Sequence, residues 1–231
     1  MRMPGSTGGT RRMIDLPKRA PFITFEGGEG AGKTTQTRQL ADRLAAAGIA
    51  CVVTREPGGS PFAEEIRALL LSGHLPTRGA MADTLLFLAA RVDHVTETIK
   101  PALEAGQWVI SDRFADSTFA YQGAAGGVPR ATLAELHRLV LGDFRPDLTI
   151  TLDLPPEIGL ARAGARRQTA SGADHFERRE LAYHEALRQG FHAIAAAEAA
   201  RCVLIDASGS PDEVAAHVWA AVEARLLSKV G

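Results

Sequence analysis

Eight residues, GGEGAGKT (27–34), stand directly after the apolar run FITFE and directly before a stretch with helical patterning. That order leaves the chain few ways to fold. Gly27, Gly28, Gly30 and Gly32 let backbone N–H groups turn inward, and the helix that follows points its unpaired first amides and its partial positive charge at the same spot. The span matches G-x-x-x-x-G-K-[ST] in the strand–loop–helix setting that gives the pattern meaning. It reads as a phosphate cradle in which Gly27, Gly28, Glu29, Gly30, Ala31, Gly32, Lys33, Thr34 and Thr35 surround a nucleotide's phosphates. Lys33 would reach the outer phosphates, and Thr34 would offer a hydroxyl to a magnesium ion.

The rest of the chain repeats that alternation. Apolar runs PFITFE, ACVVT, QWVIS, DLTITLD and RCVLID are separated by helical patterns over 33–47, 61–71, 80–105, 129–141 and 174–200. Pro155 and Pro156 suit the first turn of a further helix near 157, and a last helix follows Pro211. Strands alternating with helices predict an α/β domain, a parallel sheet covered on both faces. With 231 residues and no second linker, one domain spanning 21–231 is expected. Residues 1–20 lack apolar periodicity and read as a flexible extension; 164–177 (GARRQTASGADHFE) reads as a mobile polar loop.

Formal net charge is −1, so no overall basic field invites nucleic acid, and phosphate-binding charge must be local. No apolar run approaches the roughly 18 residues that span a bilayer. Cys51 and Cys202 both sit in apolar strand-like runs, as buried thiols of a reducing cytoplasm would. A soluble cytoplasmic protein acting on small molecules is the expectation.

Several polar residues cluster at strand ends. Asp112 closes QWVIS, where a phosphate-loop protein keeps the acid that supports the metal; the bland alternative is a turn cap. Arg55 follows the second strand, at the sheet edge where open α/β proteins bind ligands. Phe87 and Arg91 share a helical face, so a ring and a guanidinium could stack a base and bond its carbonyl; core packing and a solvated charge are the plainer alternative. Arg162 and Arg166 share another face and, with Arg167, lead into the polar loop. The guanine-reading N-K-x-D element of GTPase switches is absent.

Taken in order, FEGGEGAGKTTQ, TREPGGSPFAEEIR, LLFLAAR, SDRFADSTFAYQG and GLARAGARR strongly resemble the bacterial thymidylate kinase family, from about residue 21 to the C-terminus. The resemblance implies a three-layer P-loop fold with a five-stranded parallel sheet and a short lid over about 162–177, and a homodimer. It implies phosphorylation of thymidine monophosphate by MgATP, with Asp112 and Thr34 on the metal side. Arg55 and Arg113 would contact the acceptor phosphate, Phe87 the thymine ring and Arg91 a thymine carbonyl. Thr118 and Gln122 would lie near the base, Tyr121 under the sugar, and Glu29 near the 3′-hydroxyl. The lid departs from the family's alternating arginines, because Gly164 takes one of those places and Arg167 follows Arg166 directly; by alignment Arg166 is the first candidate for the transferred phosphoryl, and Arg162 and Arg167 stand beside it. The rivals are a kinase of another nucleoside monophosphate or deoxynucleoside, and a non-kinase P-loop regulator, which would have no use for an acceptor pocket.

Overall fold

A computed structural model of the chain describes residues 19–72, 79–167 and 181–227. Its centre is a parallel sheet of five strands, β1 (Phe22–Gly27), β2 (Cys51–Arg55), β3 (Trp108–Asp112), β4 (Leu148–Asp153) and β5 (Cys202–Asp206). The spatial order is β2-β3-β1-β4-β5. Every residue of β1 is buried, because the central strand of a parallel sheet has helices on both faces.

On one face α1 (Lys33–Ala46) and α9 (Pro211–Val222) pack Leu40, Leu44, Val214, Val218 and Trp219 against Ile23, Phe25 and Ile150. On the other, Val95, Ile99 and Leu103 cover Phe22, Val109 and Phe114. These come from one continuous helical run: α3 (Ala80–His94), a π-type turn Val95–Ile99 and α4 (Lys100–Glu104). Between them in sequence lie α2 (Pro61–Leu71) before α3, then α5 (Ala115–Thr118) with a π-type turn Phe119–Ala124, α6 (Arg130–Leu141), α7 (Pro156–Arg167) and α8 (Leu181–Ala197). Pro61, Pro156 and Pro211 each open a helix, where the missing N–H is not needed. Ser210 and Glu213 close a reciprocal capping box at the start of α9.

Two expectations shift. Arg19 and Ala20 belong to the folded part: Arg19 pairs with Asp147 at 3.2 Å, and Ala20 packs against the apolar cluster that contains Phe22 and Val109. The first four residues of the stretch read as a loop, 164–167, are helical instead. A single glycine there is flanked by alanine and arginine, both good helix formers, so α7 runs on through it. The remainder of that loop, 168–177, and residues 1–18 lie outside the described residues.

Candidate active site

Register places the chemistry. Phe25 of β1 pairs with Asp112 of β3, and Arg55 of β2 pairs with the same Asp112, so three strand ends deliver the glycine loop, Asp112–Arg113 and Arg55 to one edge. The cleft there, about 300 Å³, is lined by Glu29 to Thr35 and by Arg55, Phe87, Arg91, Asp112, Arg113, Thr118, Tyr121 and Gln122. All the acceptor-side residues singled out in the sequence therefore meet at the loop.

Gly30 adopts φ 69°, and a Cβ there would collide with the carbonyl oxygen of Gly159 in α7, so only glycine fits. Lys33 Nζ donates to the carbonyls of Gly27 (3.0 Å) and Gly28 (2.8 Å). Burial, with repulsion from Arg113, lowers the Lys33 pKa to about 8 despite Glu29 and Asp112 nearby. Thr34 Oγ1 donates to Asp112 Oδ2 at 2.7 Å. A hydroxyl beside a carboxylate, at the mouth of a phosphate cradle, is a hard oxygen donor set that fits a magnesium ion.

Arg113 is the one non-glycine among the described residues at positive φ, 74°. Holding that backbone costs of order 1–3 kcal/mol. The conformation turns the side chain back across the loop: NH2 donates to Glu29 Oε1 at 2.9 Å, NH1 donates to Ser117 Oγ at 3.2 Å, and the guanidinium lies 4.8 Å from the Tyr121 ring centre. Tyr121 OH donates to the same Glu29 oxygen at 2.6 Å. Burial alone would raise the Glu29 pKa, yet Arg113, Lys33 and the Tyr121 hydroxyl override it and hold the carboxylate at about 2. Burial also pushes the Tyr121 phenol well above its ordinary range, so it stays a donor.

Arg91 is buried rather than solvated. Nε donates to Glu56 Oε2 (2.7 Å), NH1 to Thr118 Oγ1 (3.0 Å) and NH2 to the Phe114 carbonyl (3.0 Å), leaving two of its five N–H donors. Glu56 is shared with His94, whose Nδ1 lies 3.1 Å from Oε1 and whose Nε2 lies 2.7 Å from Thr54 Oγ1. Gly59, at φ 87°, passes so close that any Cβ would strike His94 and Thr54. Arg55 lies half-exposed against Glu64, 3.0 Å from both carboxylate oxygens. Arg162 stands apart from the cleft lining: it donates to the carbonyls of Ala207 (2.9 Å) and Ser208 (3.1 Å). Arg166 and Arg167 end α7, and their side chains lie outside the described residues.

Several contributors escaped the sequence reading. Arg67 of α2 lines the cleft and donates to the Pro57 carbonyl at 2.7 Å. The spacing from Arg55 gave no clue, although EEIR places Arg67 one turn beyond Glu64. Glu56 and His94 are 38 residues apart and meet only in three dimensions. Beneath the loop, Glu26 accepts from Phe114 N (2.8 Å) and Ser117 Oγ (2.6 Å), and burial together with Asp116 raises its pKa to about 8.

Fold and site together define a P-loop phosphotransferase whose phosphate loop opens into a cleft lined by arginines and aromatic rings. A family profile for thymidylate kinase matches residues 25–218. Thymidylate kinase of Bradyrhizobium diazoefficiens is 57% identical over 209 residues, covering 90% of this chain and 91% of the relative. That of Nitrobacter winogradskyi is 57% identical over 212 residues, covering 91% of each. A crystal structure of thymidylate kinase from Ehrlichia chaffeensis superposes with a TM-score of 0.70 at 31% identity, over 89% of this chain and 99% of that one. The chain belongs to the thymidylate kinase family, and it is an ATP-dependent nucleoside monophosphate kinase.

Proposed function

We propose that the cleft binds MgATP across residues 27–35 and thymidine monophosphate beneath Phe87, Arg91 and Tyr121, and transfers the terminal phosphoryl group to give thymidine diphosphate and ADP. One observation carries this reading: a second set of nucleotide-reading groups opens into the same cleft as the phosphate loop. An acceptor phosphate oxygen attacks in line and ADP leaves, so the protein's work is positioning and charge neutralisation. Arg55, Arg67 and Arg113 supply positive charge for the acceptor phosphate. Phe87 offers a stacking face, and the two spare N–H groups of Arg91 suit a base carbonyl. The Glu29–Tyr121 pair is our candidate to hold a sugar hydroxyl and refuse a bulkier ribose.

Thr34 and Asp112 would hold the magnesium ion, which supplies charge to draw electron density from the phosphate oxygens. Lys33 lines the loop with its ammonium, and Arg166 and Arg167 of α7 are our candidates to bring further positive charge to the migrating group. Arg162, tied to the Ala207–Ser208 turn, anchors that helix. We read the active form as a homodimer working in the cytoplasm; among the described residues no helix is long and apolar enough to cross a membrane.

A coupled ADP-release assay with each nucleoside monophosphate tests the proposal. Thymidine monophosphate should give the highest kcat/KM, and cytidine monophosphate should be turned over at least about 100-fold less efficiently, because its amino group meets an Arg91 donor. Equal turnover of the two would sink the assignment.

A further inference from the structure

Arg91 and His94 stand three residues apart on α3, so their side chains share a face, and Glu56 from the loop after β2 bonds to both. Glu56 Oε2 accepts from Arg91 Nε at 2.7 Å, while Oε1 lies 3.1 Å from His94 Nδ1. The far ring nitrogen, Nε2, lies 2.7 Å from Thr54 Oγ1 on β2. A carboxylate can only accept, so the imidazole proton sits on Nδ1, and in the neutral ring Nε2 accepts from the Thr54 hydroxyl. His94 is fully buried, and it does not line the cleft, whereas Arg91 and Glu56 do. A leucine would fill that place without needing two polar partners, so the ring's chemistry lies in the bonds it makes. The last torsion of a glutamate is soft. Held through Oε2 alone, the Glu56 carboxylate could turn about it; the second grip from His94 fixes the carboxylate plane. Gly59, pressed against His94 and Thr54, keeps the ring from swinging away.

We propose that His94 is a positioning residue for base recognition: anchored on Thr54, it orients Glu56, and Glu56 sets the angle at which the two spare N–H groups of Arg91 meet the acceptor's base. Arg91 is held at three points, by Glu56, the Thr118 hydroxyl and the Phe114 carbonyl. Glu56 is the one charged acceptor of the three and has the strongest grip. Hydrogen bonds weaken steeply as their angle closes, so a guanidinium tilted by a loose Glu56 would lose its hold on the base before it lost its place in the fold. The inference rests on the reading that Arg91 meets the acceptor's base, and its signature is an effect on acceptor rather than ATP.

Steady-state kinetics on the full chain test it, with folding followed by circular dichroism. His94→Leu should raise KM for thymidine monophosphate about tenfold and cut the preference over cytidine monophosphate by about as much, while KM for ATP changes less than about twofold. His94→Asn, whose amide N–H falls near the place of Nδ1, should stay within about threefold of wild type. An Asn variant as impaired as the Leu variant, or equal loss for both substrates, overturns the positioning role. Thr54→Val probes the same chain from its outer end and suits a strand, so it leaves the buried ring in place. It should raise acceptor KM about two- to threefold, with Thr54→Ser near wild type; an unchanged Val variant overturns the inference whether or not His94→Leu folds. In an Arg91→Met background the His94→Leu effect should vanish; effects that simply add overturn the inference and leave the reading of Arg91 standing. Unchanged acceptor KM in Arg91→Met itself overturns that reading instead.

Discussion

Lys33 carries opposing demands. It must be charged when it meets phosphate, yet in the free protein it is buried among carbonyls beside Arg113, and its pKa falls to about 8. ATP's negative charge restores the ammonium, so above about pH 8 binding should draw in a proton and affinity should fall as pH rises. Calorimetry in two buffers of different ionisation heat reads that uptake; no uptake at that pH would contradict the assignment. Lys33→Ala should fold and lose at least about 100-fold in phosphoryl transfer, for want of a preorganised charge, as the coupled assay would report. Glu26 has the opposite titration. Its pKa rises from 4.5 unfolded to about 8 folded, so the native state binds more protons across that window and stability falls as pH climbs through it. Glu26→Gln keeps the side chain's shape and removes the titration. Urea unfolding at about pH 5 and about pH 8 should show wild type losing more stability than the variant between the two; parallel behaviour would show that Glu26 is not the group responsible.

Among the elements, strands were legible almost to the residue, because a parallel sheet covered on both faces demands unbroken apolar runs, and the phosphate loop was legible because its glycines are dictated by backbone geometry. What the sequence hid are contacts between distant positions: Glu56 with Arg91 and His94, Glu26 with Ser117, and the cleft position of Arg67. Composition also misled at 164–167, where a glycine and two arginines read as loop but continue α7. One such hidden contact is between α7 and the phosphate loop. A Cβ on Gly159 would overlap the Glu29 carbonyl oxygen, as one on Gly30 would overlap that of Gly159. Helix propensity favours alanine over glycine by up to about 1 kcal/mol, but overpacking against rigid backbone costs about 1–3 kcal/mol. The second term wins. Gly159→Ala should lower the melting temperature and raise KM for ATP several-fold by displacing the loop; a higher melting temperature with unchanged KM would show that α7 and the loop move independently.

At the scale of the whole molecule, one surface stands out among the described residues. Met81, Leu85 and Val92 of α3 recur at intervals of four and seven, within about 40° of one another around the helix axis, and all three are exposed. Phe62 and Leu69 of α2, seven apart, form a matching exposed stripe, with Phe62 at 55%. The two helices pack closely against each other, through Ala63, Ile66 and Leu70 on one and Ala90 on the other. Apolar side chains scattered singly over a surface are ordinary, whereas two aligned stripes on adjoining helices suit the contact face that the proposed homodimer requires. The faces of α2 and α3 that turn inward carry Arg67, Phe87 and Arg91 into the cleft, so the same pair of helices borders both the proposed acceptor site and the apolar surface. A second copy of the chain applied by two-fold symmetry would cover the stripes and stiffen that wall of the chamber. Phe62→Glu combined with Leu85→Glu should therefore turn a dimer into a monomer by sedimentation, with the monomer folded by circular dichroism. Because the wall is loosened rather than removed, KM for thymidine monophosphate should rise several-fold while KM for ATP, set by the loop at the other end of the cleft, stays near wild type. A wild-type monomer, or a charged variant that still dimerises, would show that these stripes serve something else.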